Sequence, residues 1–182
     1  LYENPSTIDK ARYHFEQALR YAQPHQKIAA HLCLSMIARR QGDLIEAASH
    51  LEQAHQQFLT GCDITTEALY YSIYSDLCHA QGRWSEALAH ALKNIELVSQ
   101  QQTAMPFFHY SSKILWQSGR FEMARHYLEQ VDSNSKQEAY HFGGYWHTLW
   151  LIDVADFYVA WQQPEQALFY SQLANKNAQK LG

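Results

Sequence analysis

The chain has few residues that break helices. It holds 4 prolines and 7 glycines among 182 residues, set against abundant Ala, Leu, Gln and Glu. That scarcity excludes a fold of many short strands joined by tight turns and favours long helices. Cysteine is nearly absent. Cys33, Cys62 and Cys78 form no CxxC pair, and an odd number excludes a complete disulfide framework within the chain. Cys33 and Cys78 lie in apolar helical stretches and read as small core residues, whereas Cys62 follows Gly61 in a loop. Concentrated positive charge is missing too. The largest basic cluster is Arg39-Arg40 and the net charge is −4, which argues against nucleic acid as a partner, since duplex binding needs a basic face. No run is long enough to span a membrane. The most apolar stretch, TLWLIDVADFYVAW (148–161), is short and carries Asp153 and Asp156.

What is present suits a core-forming chain. Hydrophobic residues make up 47% and charged residues 18%, and aromatics include 12 Tyr and 5 Trp. That composition is not a disordered one. Both ends are helical in character (LYENPSTIDKARYHF and ANKNAQKLG), so the chain reads as a piece of a longer protein. No signal peptide is visible. The expected location is the cytoplasm, with an extracytoplasmic one left open.

One pattern recurs. It stands as QGDLIEA (41–47), QGRWSEA (81–87), SGRFEMA (118–124) and QQPEQA (162–167), with an upstream copy lacking glycine in PSTIDKARYHFEQAL (5–19). The marker alanines Ala11, Ala47, Ala87, Ala124 and Ala167 are spaced 36, 40, 37 and 43 residues apart. Gly inside a helix costs about 1 kcal/mol relative to Ala. Just past a helix end, the same residue takes positive φ freely and closes the cap. Each glycine is therefore expected to end one helix, with the next starting one or two residues later. Asp43 with Glu46 fits a capping box, and Pro164 suits a first helical position. After each turn the apolar residues keep helical spacing, as in Trp84, Ala87, Leu88, Ala91, Ile95 and Val98. Preceding helices are expected at about 26–41, 65–80, 105–118 and 145–161. The small alanine lets the paired helices cross closely, and Leu44, Trp84 or Phe121 covers the joint. One hairpin cannot bury both its faces alone, so the units must stack.

These residues resemble an array of tetratricopeptide repeats. The resemblance rests on the G-x-[aromatic or Leu]-x-x-A core, with Phe15 and Ala18, Leu51 and Ala54, and Tyr127-Leu128 on the second helices. It covers the chain from about residue 5 to 180. The spacings exceed the usual period of about 34, the closing proline is missing, and HLCLSMIARR (31–40) stands where the usual first-helix signature would fall. This longer-period type is similar to repeat regions of bacterial signalling proteins that lie beside diguanylate cyclases, sensor kinases or transcription activators. The implied fold is all-α, a right-handed superhelical solenoid of about four and a half antiparallel hairpins. It forms one repeat domain over 1–182, with a leading helix at 5–22 and hairpins at 26–59, 65–101, 105–131 and 137–180.

The sequence offers little for catalysis. There is no GxSxG, no phosphate-cradling glycine loop and no HxxxH among the 11 histidines. Glu46 and His50 have a ligating offset but lack a third ligand in sequence. Asp153 and Asp156 lie one turn apart amid apolar residues. No enzyme, cofactor or metal is expected. The resemblance implies a protein- or peptide-binding module, in which first helices line a concave groove. By helical phase that groove takes Leu32, Met36, Arg39, Arg40, Asp76, His79, His109, Lys113, Trp116, Gln117, Leu149, Ile152 and Asp156, with Trp116 and Trp146 as aromatic anchors. A carboxylate clamp of the co-chaperone type would need Lys, Asn and Arg at places held here by Leu32, Met36, Ser72, Asp76, His109 and Lys113. Only Lys113 fits. The alternative is a structural module for homodimerisation or spacing. Neither nucleic-acid binding nor membrane insertion is expected.

Overall fold

The computed structural model describes residues 5–58, 62–99, 108–135 and 144–180, all but a few linking residues in helices. Side chains are described for most of these, excluding among others Phe108, His109, Trp146 and Leu149. A leading helix, α1 (Pro5–Tyr21), precedes four helical pairs. They are α2 (Pro24–Arg40) with α3 (Leu44–Phe58), α4 (Ile64–Ala80) with α5 (Trp84–Ser99), α6 (Phe108–Gln117) with α7 (Phe121–Ser135), and α8 (Gly144–Ala160) with α9 (Pro164–Lys180). The architecture is all-α, and the four first helices begin and end within three residues of the spans expected from glycine spacing.

Contacts gather the chain into two compact units, Leu1–Gln102 and Thr103–Gly182. In the first, α1 packs on α2, and the two hairpins stack through α2, α3 and α4. Its core joins Ile28 and Leu32 of α2, Ala47, Leu51 and Ala54 of α3, and Tyr70, Ile73 and Leu77 of α4. In the second, α6 packs on α8 and each helix pairs with its hairpin partner. Its buried residues include Ile114, Leu115, Leu128, Val154 and Phe157.

The turns explain why the pattern repeats. Gly82 takes φ +75°, the left-handed region that suits a residue without Cβ. Its N–H donates to His79 O (3.0 Å) and the Arg83 N–H donates to Cys78 O (2.8 Å), the paired bonds of a Schellman ending. The Ala87 N–H then donates to Arg83 O (3.0 Å), so Arg83 closes one helix and opens the next. The same three bonds recur around Gly42 and Gly119. At the last turn Gln162 adopts φ +56° with equivalent bonds to Val159 and Tyr158. The marker alanines are fully buried in the first three hairpins and nearly so at Ala167.

Three expectations are corrected. Asp43 accepts from the Glu46 N–H (2.8 Å), but the reciprocal half of the capping box does not form. The Asp43 N–H is already donated to Ala38 O, and the Glu46 carboxylate pairs with Arg12. Leu32 is wholly buried rather than groove-lining, because α4 stacks over that face of α2. Trp84 is 51% exposed and leans edge-on against His79 (4.5 Å between ring centres), so it shields the joint only from outside. Leu44 is half-buried against the core, and Phe121 is half-buried beside Phe157 and Trp161.

Candidate partner-binding surface

In the first unit most of the expected surface residues are engaged between hairpins. Arg39, in the last turn of α2, forms an ion pair with Asp76 of α4, donating to Oδ1 at 2.6 Å. Asp76 is only 8% exposed. Its position corresponds to that of Met36 one hairpin earlier, and Met36 packs half-buried on the core. His79 is half-buried against the indole of Trp84. Arg40 is exposed.

In the second unit Lys113 is half-buried on α6 with Nζ 3.8 Å from Asp153 Oδ1 on α8. Trp116 is half-buried and Asp156 is exposed. Burial raises the Asp156 carboxyl above its ordinary value, and the Asp153 charge adds to this while Lys113 opposes it. The acid pair singled out in the sequence is thus shared with a lysine from the neighbouring helix. His109, Trp146 and Leu149 lie outside the described side chains.

Sequence reasoning missed two groups. The first is a buried serine twelve residues before the marker alanine in each of the first three hairpins. Ser35 Oγ donates to Ala47 O (2.9 Å) and Ser75 Oγ donates to Ala87 O (2.8 Å), tying the two helices of a hairpin together at their crossing. Ser112 and Ala155 occupy the corresponding places before Ala124 and Ala167. A fixed offset from the alanine was the available signal. The second is a ring pair between the two helices of a hairpin. His31 meets His50 with Nδ1 atoms 3.0 Å apart, and Tyr71 stacks on His90 with ring centres 5.7 Å apart. Tyr74 also stacks on His90 at 4.2 Å.

The arrangement provides docking chemistry, in exposed and half-buried cations, carboxylates and rings. Burial pushes the thiols of Cys62 and Cys78 up to about 11, which leaves them poor nucleophiles. Among the described residues, no three or more His, Cys, Asp or Glu converge to hold a metal, and no helix is long and apolar enough to cross a membrane.

Residues 28–53 and 68–93 match the family model described as tetratricopeptide repeat. The two segments fall on α2–α3 and α4–α5, the hairpins whose turns centre on Gly42 and Gly82. Over these two hairpins the chain is similar to tetratricopeptide repeats, and its described elements form an all-α helical repeat. No curated protein matches the chain.

Proposed function

We propose that the chain is a non-catalytic module that binds a protein or peptide partner within a larger regulatory protein. The observation that carries this reading is the pair of consecutive tetratricopeptide hairpins, since that family serves generally as a protein-interaction scaffold. Met36, Arg39, Arg40 and His79 are the contact residues in the first unit. His109, Lys113, Trp116 and Asp156 are those in the second. The cytoplasm is the proposed location, supported by three free cysteines, which persist in a reducing compartment.

Panning a random peptide library against the purified chain tests the reading. Enriched peptides are expected to bind in the micromolar range, and Arg40→Glu or Lys113→Glu should weaken them about tenfold or more, about 1.4 kcal/mol. Affinities unchanged by both substitutions and by Trp116→Ala would remove the assigned surface. Failure to enrich any peptide would remove peptide binding.

A second reading, self-association, is favoured by apolar side chains on the last hairpin. Ile152, Val159, Leu168 and Phe169 are 42%, 65%, 60% and 55% exposed. Light scattering across a concentration series separates the two readings. A tight dimer that Val159→Asp or Leu168→Asp dissociates supports the second, and a monomer throughout eliminates it.

A further inference from the structure

The first hairpin contains a connected polar cluster that partner binding does not require. His31 on α2 and His50 on α3 approach with Nδ1 atoms 3.0 Å apart and ring centres 5.3 Å apart. At that distance one imidazole donates its Nδ1–H to the bare Nδ1 of the other. The contact tolerates one proton between the two facing nitrogens and not two. On its far side, His50 Nε2 lies 3.8 Å from Glu46 Oε1. Glu46 is held by Arg12 of α1, which donates to Oε1 at 2.5 Å and to Oε2 at 3.1 Å. Arg12 also donates to Gln41 Oε1 at 2.5 Å. Glu46 therefore sits between the guanidinium that anchors α1 and an imidazole that is able to gain a proton.

We propose that this cluster is a proton-operated latch on α1. With His31 donating its Nδ1–H, uptake of a proton at His50 Nδ1 breaks that contact, and the resulting imidazolium draws Glu46 away from Arg12 and releases the leading helix from the first hairpin. The proton comes from solvent and rests on His50, and no covalent bond changes.

The groups acting on the pair come from all three helices. Arg12 and Glu16 belong to α1, Lys27 to α2 and Glu46 to α3, with Asp43 in the turn just before it. Burial holds His31 below the ordinary imidazole value, with His50 and Lys27 adding to the effect. Burial also lowers His50, aided by Arg12 and opposed by Glu46 and Glu16. The bond from Arg12 is the largest influence holding Glu46 below the ordinary carboxylate value. For a histidine lowered by folding, the unfolded or released form takes up protons first. The stabilisation is complete above the unfolded value of 6.5 and is lost as pH falls from there through the lowered folded value. Glu46 contributes fully above 4.5 and is lost only in stronger acid. The latch therefore opens below pH 6.5 while Glu46 is still charged.

The next hairpin lacks the device. The places of His31 and His50 are held there by Tyr71 and His90, and that of Glu46 by Glu86, which pairs with Arg83 of the turn just before its helix. The latch is specific to the hairpin that carries α1.

Hydrogen exchange on the whole chain at pH 7.5 and pH 5.5, corrected for intrinsic amide rates, tests the proposal. Amides of α1 are expected to exchange several-fold faster at pH 5.5, with a smaller change in α4 and α5. His50→Gln should abolish that pH effect, and Arg12→Gln should leave α1 fast at both values. Equal α1 protection at the two pH values overturns the proposal, as does an undiminished acid effect in His50→Gln. If His50→Gln itself loosens α1 at pH 7.5, the NMR titration of the wild-type rings decides. Values below 6.5 for His31 and His50 support the latch, and values at or above it overturn it.

Discussion

The guanidinium of Arg39 at the end of α2 reaches the carboxylate of Asp76 on α4, joining two consecutive repeats by charge across an otherwise apolar interface. Asp76 is nearly buried there, so removing the cation leaves a desolvated carboxylate without its guanidinium. Breaking a fully buried pair costs about 3–5 kcal/mol. The Arg39 side chain is still about a third exposed, which lowers the expectation for Arg39→Ala to about 1–3 kcal/mol of first-unit stability. Replacing both residues, Arg39→Met with Asp76→Leu, is expected to lie within about 1 kcal/mol of the parent, because the surrounding face is apolar. Urea unfolding of the two single variants and the double variant measures this. A double variant as unstable as the worse single would show that the site requires charge.

Gln162 occupies a turn position that glycine fills in the other hairpins. At φ +56° a side chain crowds the following carbonyl, at a cost of about 1–2 kcal/mol. Gln162→Gly removes that strain but loosens the unfolded chain, so the expected net gain is about 0.5–1 kcal/mol. Gly82→Ala is the mirror experiment. A Cβ there meets nothing within 4 Å, so its expected cost of about 1 kcal/mol is backbone strain alone. Thermal unfolding followed by circular dichroism should move upward for the first variant and downward for the second. A downward shift for Gln162→Gly would mean that its side chain stabilises the turn in another way.

The turns and second helices were legible because their signals are local. Gly82 needs positive φ, Ala87 needs to be small, and α3, α5 and α7 each bury one stripe. The first helices were not legible in the same way. On α4, Ala68, Tyr70, Ser72, Ile73, Ser75, Asp76, Leu77 and Cys78 are all buried, and these positions point in nearly every direction around the helix. A helix packed on most sides has no polar face from which to read phase. Leu32 was therefore assigned to a groove it does not line, and Asp76 was expected at the surface. The pairing of Arg39 with Asp76 and that of Arg12 with Glu46 depend on which hairpin lies alongside. Spacing within one segment carries no such information.

The cysteines are expected to be unreactive in the folded chain. Burial is the main cause that raises Cys62 and Cys78 from 9.0 to about 11, with Asp63 and Glu67 adding to it at Cys62. That rise means roughly a hundredfold less thiolate near pH 8. Thiol modification with a disulfide reagent at pH 8 should therefore run about tenfold slower in buffer than in 6 M guanidinium, the greater intrinsic nucleophilicity of the higher-pKa thiolate offsetting part of the loss. Labelling of Cys78 at the unfolded rate would mean that α4 and α5 open readily around it.

The serine ladder allows one substitution to be read against another. Ser75 Oγ is wholly buried and donates to the carbonyl of the marker alanine at 2.8 Å. Ser75→Ala removes the donor where water cannot substitute, with an expected cost of about 1–2 kcal/mol. Ser112 holds the same place before Ala124, equally buried, but its Oγ finds no hydrogen-bond partner. A buried hydroxyl without a partner is a liability, so Ser112→Ala should be neutral or stabilising by up to about 1 kcal/mol. The last hairpin already carries Ala155 at this position, so the crossing tolerates alanine. Chemical denaturation of the two variants decides the matter. Equal losses would mean that the Ser112 hydroxyl swings onto Ala124 O in solution and that the ladder extends into the third hairpin.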